Sequence, residues 1–426
     1  MGNAQSPPPS DPRYASASRA FTQKELEDLR TLFKSLAVQS QSNGDYVSLS
    51  VFQSYFGLDD LLGERMFYLV TQQRGDEKLA FEDLVIAKAA YEKGTKDEID
   101  EFIFRLLDVS GNNILGRSDL ESVLIAIFNN LLSIEDSEVR SSSHRDTVNI
   151  FLNAATFSKY DEEGCTEEVM SFEDFRSWCT HIPSVRKLLG SLLMPPDSGR
   201  PGSQVPHLLH SDGIDSDILL LRKEYAWHIG GALSQQEVEA WKLLYHSALN
   251  GLSFNTFLGN ISNHEGPTML IIKDKEGCIY GGYASQPWER HAEFYGDMKC
   301  CLFQLTPKAS IYRPTGANNN LQWCAVNFTS EDVPNGIGFG GRVNHFGLFL
   351  SANFDEGHTF SCSTFGSPCL SKSSRISPEV IECWGVINAA QAGIQRRNEA
   401  VKGTVLDRHK EDRHMLNMVG LANSSE

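Results

Sequence analysis

A change of pattern around residues 194–207 constrains the fold of this chain more than any other feature. Apolar residues recur at helical spacing from about residue 21 to residue 193. The segment 194–207, MPPDSGRPGSQVPH, concentrates Pro, Gly and Ser and is typical of a linker. Short apolar or alternating runs separated by turn residues then predict strands up to about residue 387. The sequence therefore predicts two folded regions of different class.

Two sequence signals mark helix starts. Thr22 with Glu25 forms a capping box before an apolar stripe, and Ser234 with Glu237 repeats the pattern. Trp241 and Tyr245 follow at helical spacing, so we predict a helix after Ser234. The sequence DKEG at 274–277 predicts a hairpin turn between two strands, with Asp274 as a solvated turn residue.

The first six residues, MGNAQS, form an N-myristoylation signal, with Gly2 behind the initiator Met and Ser6 at the Ser/Thr position. We expect a covalent myristate at Gly2. A single myristoyl chain binds membranes weakly, with a constant on the order of 10⁴ M⁻¹. Neither a basic cluster nor a cysteine follows nearby, so the second attachment is expected to be a protein already at the membrane.

The segment 104–124, FRLLDVSGNNILGRSDLESVL, resembles an EF-hand helix-loop-helix. Its candidate ion ligands are Asp108, Ser110, Asn112, Ile114 through its carbonyl, and Asp119, at positions 1, 3, 5, 7 and 12 of the loop. Asn113 replaces the usual Gly at position 6, and only two carboxylates face the ion. Asp119 is shorter than the usual Glu and favours six-coordinate Mg²⁺ or weak Ca²⁺ binding. A physiological ion site and a purely structural loop both remain open.

Three further segments repeat the outline of such a loop without its full ligand set: SNGDYVSLSVF, RGDEKLAFEDL and DEEGCTEEVMSFEDF. Together with the 104–124 segment they predict two EF-hand-like pairs.

The stretch 335–350, NGIGFGGRVNHFGLFL, places Gly336, Gly338 and Gly341 at the spacing of a dinucleotide-binding fingerprint. A fingerprint needs a strand before the glycines and a helix directly after them. Here a polar segment with Pro334 precedes them and β-forming residues follow. We therefore predict a loop between strands, with unusual backbone angles or close backbone contacts.

Six blocks between residues 208 and 386 resemble the TLDc domain in order: WKLLYHSALNGLSFNTFLGNI, GPTMLIIKDKEGCIYGGYAS, CCLFQLTP, NGIGFGG, FGLFLSANFDEGHTFSCSTFGSPCLS and IECWGV. The whole arrangement is similar to N-myristoylated EF-hand-like and TLDc proteins of lysosomal growth signalling. This resemblance implies a regulatory adaptor that binds subunits of the vacuolar-type proton-pumping ATPase on the cytosolic face of lysosomal or vacuolar membranes. It supplies no catalytic residues.

The predicted organisation follows from these signals. It comprises a flexible acylated N-terminus at 1–20, a paired EF-hand-like helical domain at 21–193, the linker at 194–207, a TLDc domain at 208–387 and a C-terminal helical tail at 388–426. The predicted fold class is multidomain α and α+β, with an all-α first domain and an antiparallel β-sandwich with flanking helices as the second.

Composition excludes one class of partner and argues against catalysis. A formal charge of −17 without a Lys/Arg-rich run excludes a general nucleic-acid binder. The nine cysteines fit reduced core thiols, and no small-molecule substrate or cofactor site is evident. Ser253, with His246, His264 or His345 as a base, lacks the nucleophile-elbow context and fits a helix N-cap. The alternative is an oxidative-stress protection protein with an antioxidant activity.

Overall fold

The computed structural model describes residues 12–58, 61–71, 76–108, 114–132, 140–162, 165–211, 214–330 and 332–387. Gly2 and the predicted tail at 388–426 lie outside these ranges. The described residues divide into two compact units, the first comprising 12–148, 155–179 and 185–203 and the second 149–154, 180–184 and 204–387. Within the described ranges, no helix is both long enough and apolar enough to cross a membrane.

The region up to residue 203 is mainly helical. Its helices are α1 (Pro12–Ala17), α2 (Gln23–Gln39), α3 (Leu49–Phe56), α4 (Leu61–Val70), α5 (Phe81–Glu92), α6 (Lys96–Leu107), α7 (Arg117–Leu131), α8 (Arg140–Leu152), α9 (Phe172–His181) and α10 (Pro183–Leu189). Its strands are β1 (Val47–Ser48), β2 (Lys78–Leu79), β3 (Leu115–Gly116), β4 (Ser158–Glu162) and β5 (Cys165–Met170).

Helix α2 begins at the predicted capping box. The Thr22 hydroxyl accepts a hydrogen bond from the Glu25 N–H at 3.3 Å, and the Glu25 carboxylate accepts one from the Thr22 N–H at 2.7 Å. These bonds satisfy two backbone donors that the first helical turn leaves without an intrahelical partner. The apolar stripe of α2 buries Phe33, Leu36 and Ala37, so the predicted helix is confirmed.

Short antiparallel strand pairs join the helix-loop-helix segments of the first unit. Val47 of β1 pairs with Leu79 of β2, and Leu115 of β3 pairs with Met170 of β5. Strands β1, β2 and β3 each lie directly between two helices, and β5 lies between α8 and α9 after β4. The first unit is therefore mainly helical, as predicted, and its EF-hand-like character stays a prediction.

The second unit is built from strands with a few helices. Its strands are β6 (His207–Leu209), β7 (Ala240–His246), β8 (Thr268–Asp274), β9 (Ile279–Ala284), β10 (Cys301–Thr306), β11 (Ser310–Tyr312), β12 (Gln322–Ala325), β13 (Gly336–Arg342), β14 (His345–Ser351), β15 (Gly357–His358), β16 (Arg375–Ile376) and β17 (Pro378–Ile387). Its helices are α11 (Lys223–Gly230), α12 (Ser247–Asn250) and α13 (Phe254–Ile261).

Two sheets form the sandwich of the second unit. The first has the order β11-β10-β9-β8-β17-β7-β6, antiparallel except for the parallel β6–β7 pair, and the second has the order β12-β13-β14-β15-β16. Leu270 and Leu302 of the first sheet share a buried core with Phe339 and Leu348 of the second. The opposite face of the seven-stranded sheet buries Trp241, Met269, Phe303 and Trp384 against α11. The predicted β-sandwich with flanking helices is confirmed.

The predicted helix after Ser234 is wrong. Residues Gln235–Val238 form a short 3₁₀ helix, and Ala240–His246 is strand β7, paired with both β17 and β6. The β7–β17 register shifts between Cys383 and Trp384, which is a β-bulge. Because the bulge adds one residue, Trp241 faces one core and Tyr245 faces the other. Because the bulge interrupts the alternation of side chains between the two faces of β7, its apolar residues fall at a spacing in the sequence that resembles that of a helix.

The glycine-rich stretch lies within a strand rather than in the predicted loop. Residues Gly336–Arg342 form β13, which pairs with β12 and β14, and strand β14 follows instead of a helix. This sequence of elements excludes the dinucleotide fingerprint. The predicted unusual angles and close contacts are present: Gly341 has φ +81°, and a Cβ on Gly338 would lie 2.6 Å from the Leu348 carbonyl.

Candidate functional site

The predicted ion loop lies between α6 and α7 in the first unit. Helix α6 begins at a capping box of Thr95 and Glu98 and ends at Leu107, where Asp108 leaves helical geometry with ψ 79°. Ser110 and Asn112 lie outside the described residues. Asp108, Ile114 and Asp119 lie within them, so the structure places the two ends of the loop.

Both carboxylate residues of the loop have structural contacts. Asp108 is buried, and its backbone carbonyl accepts a hydrogen bond from the Arg65 guanidinium on α4. The Asp119 Oδ2 accepts a hydrogen bond from the Gly116 N–H at 3.0 Å, which closes the first turn of α7. The position-12 carboxylate therefore already stabilises a helix start.

Carboxylate capping recurs in two other loops of the first unit. The Asp83 carboxylate accepts from the Ala80 N–H at 3.0 Å, and the Asp174 carboxylate accepts from the Ser171 N–H at 3.3 Å. Like Asp119, each lies four residues after the paired strand position, which is Leu79 or Met170. In all three loops the last carboxylate caps the helix that follows.

The described residues of the loop fit a divalent ion only in part. Asp108 and Asp119 are oxygen donors suited to Ca²⁺ or Mg²⁺. The Arg65 guanidinium at the Asp108 carbonyl introduces a positive charge, which disfavours a cation nearby. In the described part of the chain, no cluster of three or more His, Cys, Asp or Glu side chains could hold a metal. Ion binding at this loop stays a prediction.

In the second unit, Glu382 of β17 is a completely buried carboxylate. Its Oε1 accepts from the Leu220 N–H at 2.5 Å, and its Oε2 accepts from the Leu221 N–H at 3.2 Å and the Trp384 Nε1–H at 2.8 Å. Burial raises the pKa of Glu382, and these hydrogen-bond donors partly offset that rise. The residue fixes the segment before α11 to the central strand.

His246 lies 3.5 Å from the same carboxylate through its Nε2. Its Nδ1 accepts from the Ala248 N–H at 3.1 Å, so Nε2 carries the proton and faces the Ile218 carbonyl at 3.2 Å. Both ring nitrogens have backbone partners at the end of β7. His246 is therefore a structural residue rather than a base for Ser253.

Asp274 was interpreted from the sequence as a solvated turn residue, and that interpretation is wrong. Its side chain is buried. Its Oδ1 accepts from the Glu276 and Cys278 N–H groups, both at 3.0 Å, and its Oδ2 accepts from the Tyr280 and Ser371 hydroxyls at 3.0 and 2.5 Å. The carboxylate stabilises the predicted β8–β9 hairpin and holds the distant Ser371 loop to it.

Ser253 is the predicted N-cap. Its Oγ accepts from the Thr256 N–H at 3.4 Å, and helix α13 starts at Phe254. The other candidate bases have their own contacts: His264 Nε2 lies 3.0 Å from the Pro267 carbonyl, and the His345 ring stacks on Phe360 with centroids 4.1 Å apart. The predicted capping role of Ser253 is confirmed.

The described cysteine side chains are free thiols, buried except for the half-buried Cys369. Burial raises the pKa of Cys301, Cys324 and Cys383 to about 12. It also raises the pKa of Cys300. Because the thiolate is the reactive form, these cysteines are poor nucleophiles near neutral pH.

An open cleft of about 510 Å³ on the second unit is lined by the polar residues Gln204, Ser234, Gln235, Gln236 and Glu239. The tryptophans at 241, 288, 323 and 384 are buried, as core residues. Exposed large apolar side chains of this unit are Ile218, Leu249, Leu252, Met298 and Val343. These residues, rather than the tryptophans, are available to a partner.

Sequence reasoning missed Arg65 and Glu382. Glu382 had a visible signal, because an acidic residue inside the apolar run VIECWGV implies a buried partner. Arg65 had none, since its contact with Asp108 joins residues 43 positions apart.

Residues 215–387 match the TLDc domain family. The chain is 30% identical over 303 residues to MTOR-associated protein MEAK7 of Mus musculus, an alignment covering 68% of the chain and 64% of the relative. It is 33% identical over 214 residues to the Xenopus laevis protein of the same name, covering 50% of the chain and 45% of the relative. Oxidation resistance protein 1 of Bos taurus is 26% identical over 260 residues, covering 59% of the chain and 27% of the relative. The matches thus span less than two thirds of each relative.

Proposed function

Since residues 215–387 of this chain belong to the TLDc-domain family, we propose that the protein is a non-enzymatic regulatory adaptor recruited to membranes. Its partner would be the vacuolar-type proton-pumping ATPase, and its setting growth signalling or stress response at the cytosolic face of lysosomal or vacuolar membranes. The names of two groups of relatives, an mTOR-associated protein and an oxidation resistance protein, support this regulatory setting.

The observation that carries the proposal is the structural use of the reactive groups in the second unit. Glu382, Asp274 and His246 are buried and bonded to the backbone or to neighbouring side chains that hold loops in place. Ser253 caps a helix. Because these reactive side chains serve the fold, we infer that the second unit acts through its surface, by binding another protein.

Attachment through two weak contacts supports recruitment. A myristoyl chain at Gly2 alone would dissociate readily. A linked protein contact turns the second binding event into an intramolecular one and raises the overall affinity. Loss of either contact should therefore release much of the protein from membranes.

The test is affinity capture of the acylated full-length protein from lysosomal or vacuolar membranes, followed by detection of proton-pump subunits. Gly2→Ala blocks acylation, and Asn3→Ala is the matched control because the signal does not specify that position. We expect pump subunits with the wild type and with Asn3→Ala, and a reduced yield with Gly2→Ala. Absence of pump subunits in all three captures contradicts the proposed partner.

The alternative function is oxidant removal. The raised thiol pKa values of Cys301, Cys324 and Cys383 argue against it. Purified protein should therefore consume peroxide no faster than a thiol-matched unfolded control. Catalytic peroxide consumption combined with failed pump capture would favour the alternative.

A further inference from the structure

The outer face of the five-stranded sheet carries a run of stacked rings that the proposed function has not used. The His345 ring stacks on Phe360, with centroids 4.1 Å apart and planes 9° apart. The His358 ring lies 5.2 Å from Phe360 and 5.1 Å from Phe349. Phe349 is buried, whereas the other three residues are half-buried. We call these four residues the histidine face, and three of its rings are partly open to solvent.

Glycines of β13 make room for the deepest of these rings. Gly336 and Gly338 lie at alternate positions, so they share one face of the strand. A Cβ on Gly336 would lie 2.8 Å from Phe349 Cζ, and a Cβ on Gly338 would lie 3.1 Å from Phe349 Cδ2. A side chain at either position would crowd the ring. The glycine-rich stretch therefore lets the Phe349 ring lie against the sheet.

The rest of this sheet face is covered by the protein itself. Trp323 of β12 and Phe349 of β14 belong to one buried cluster, against which Phe294, Phe328 and Val333 pack. Towards β15 the rings of the histidine face are half-buried instead. A solvated sheet face usually carries polar side chains. Aromatic rings that stay partly open are typical of surfaces that bind another protein.

Two arginines flank the histidine face. Arg342 lies directly opposite His345 in the β13–β14 pair, and Arg375 lies opposite His358 in the β15–β16 pair. Directly opposite residues of antiparallel strands project from the same face of the sheet. Both arginines are exposed, and neither forms an ion pair with a carboxylate of the described residues. Their guanidinium groups are therefore available to a partner.

The imidazole of His358 adds a neutral hydrogen-bond donor. The Phe346 N–H donates to His358 Nε2 at 3.4 Å, so the ring proton lies on Nδ1. Burial lowers the pKa of His358, and nearby His345 lowers it further. His358 is therefore uncharged near pH 7, and the positive charge beside the rings belongs to the arginines.

We propose that the histidine face and its two arginines dock an acidic protein segment that carries an aromatic side chain. Arginine and carboxylate form two parallel hydrogen bonds, so each guanidinium can hold one carboxylate of the segment. An aromatic ring near those carboxylates stacks on the open rings of His345 and Phe360. The chain has a formal charge of −17, so a local pair of free arginines favours an acidic partner by charge complementarity.

Single-stranded nucleic acid also combines planar rings with negative charge. Its binding sites follow the phosphate backbone along a positively charged groove. Arg342 and Arg375 lie beside different histidines of one ring stack, which suits a segment with a few carboxylates better than a continuous phosphate backbone. The inference deepens the proposed adaptor function, on which it rests, by naming a docking surface and the chemistry of the segment that it binds.

The test is fluorescence polarisation of a labelled random copolymer of Glu and Tyr, titrated with the full chain at about 0.15 M salt. Polyglutamate, which lacks the rings, and poly(U) are the comparison probes. Arg342→Gln combined with Arg375→Gln removes both charges, and Phe360→Leu removes the central ring. Lys34→Gln combined with Lys223→Gln is the matched control, because both lysines are exposed and the net charge changes equally.

The expected result is a preference for the probe that has both charge and rings. We expect the wild type to bind the copolymer at least about fivefold more tightly than polyglutamate. The double arginine variant and Phe360→Leu should each bind the copolymer at least about fivefold more weakly than the wild type. The lysine control should stay within about twofold of the wild type, because distant charges are screened at this salt concentration.

Several results would overturn the inference. They are absence of copolymer binding, unchanged affinity in the double arginine variant, an equal loss in the lysine control, and equal affinity for polyglutamate. Tighter binding of poly(U) than of the copolymer would assign the face to nucleic acid. Wild-type self-association that the double arginine variant abolishes would assign it to a second copy of the chain. If Phe360→Leu does not fold, the exposed arginines and the polyglutamate comparison decide.

This experiment separates the docking surface from the proposed partner. The titration contains no pump subunit, so a failed titration leaves pump capture to be judged by itself. Failed pump capture combined with the expected titration would keep the docking surface and remove the proton pump as its partner.

Discussion

Replacing Glu382 by Gln should destabilise the second unit strongly. The amide keeps the shape of the side chain but has one oxygen in place of two. In the structure, the two carboxylate oxygens accept hydrogen bonds from Leu220, Leu221 and Trp384. The amide oxygen can occupy only one of the two positions, so at least one buried N–H loses its acceptor.

The magnitude follows from these bonds. A buried donor without an acceptor costs about 1–3 kcal/mol, and the remaining bonds lose the advantage of a charged acceptor. We expect the free energy of unfolding to fall by about 2–4 kcal/mol. For a unit of this size that is roughly 5–15 °C in Tm.

The assay is thermal and urea unfolding of the full chain, combined with hydrogen exchange of peptides from β17. The peptides report on the second unit even if the two units unfold separately. Glu379→Gln is the matched control on the same strand, because Glu379 is exposed and its pair with Lys273 at 3.0 Å lies at the surface. Such pairs contribute about 0–1 kcal/mol. Equal destabilisation by both substitutions would refute the reasoning.

The Glu382 substitution also predicts a pH dependence. Burial raises the pKa of Glu382 in the folded protein, so the folded state binds the proton more readily than the unfolded chain. The stabilisation that Glu382 gives the wild type is therefore lost as the pH rises from the pKa of Glu382 in the unfolded chain through its higher pKa in the folded protein. Since glutamine does not titrate, the stability difference between wild type and variant should shrink across that window. A difference that widens with rising pH would contradict the direction of the shift.

Four further outcomes follow from the described contacts. Asp274→Asn should lower the unfolding free energy of the second unit by about 2–4 kcal/mol, and a loss below about 0.5 kcal/mol in urea titration would contradict its buried role. In a Cys165→Ser background, a chromogenic disulfide reagent should modify Cys369 before any other thiol of the native protein; simultaneous reaction of all thiols would oppose the burial argument. Ser253→Ala should cost about 1 kcal/mol in unfolding without changing peroxide consumption, as expected for an N-cap. Nuclear magnetic resonance titration should give Glu25 a pKa of about 2, because the Thr22 N–H and then Lys93 stabilise its charge. The stability that Glu25 contributes is present above pH 4.5 and is lost as the pH falls towards 2. A titration midpoint near 4.5 would contradict the cap.

The sequence correctly predicted the features that depend on residues close together in the chain. The capping box of Thr22 and Glu25, the N-cap at Ser253 and the hairpin turn after Asp274 each depend on residues a few positions apart. Their backbone consequences follow from short-range hydrogen bonding. The structure contains all three.

The wrong predictions share a dependence on distant partners. Strand β7 imitates a helix because of a bulge imposed by its pairing with β17, and pairing between residues about 140 positions apart leaves no local signal. Asp274 is buried because the Ser371 loop covers it. Asp108 lies at the end of α6 and Asp119 in the first turn of α7, whereas the contact between Arg65 and Asp108 depends on the packing of α4 and has no local signal.

The capping role of Asp83, Asp119 and Asp174 has a consequence for how such loops tolerate mutation. Each carboxylate stabilises the start of its own helix through a backbone N–H that belongs to the same loop. A substitution at another position of the loop leaves this bond intact. The start of each helix therefore tolerates changes in the rest of its loop, whether or not the loop holds an ion.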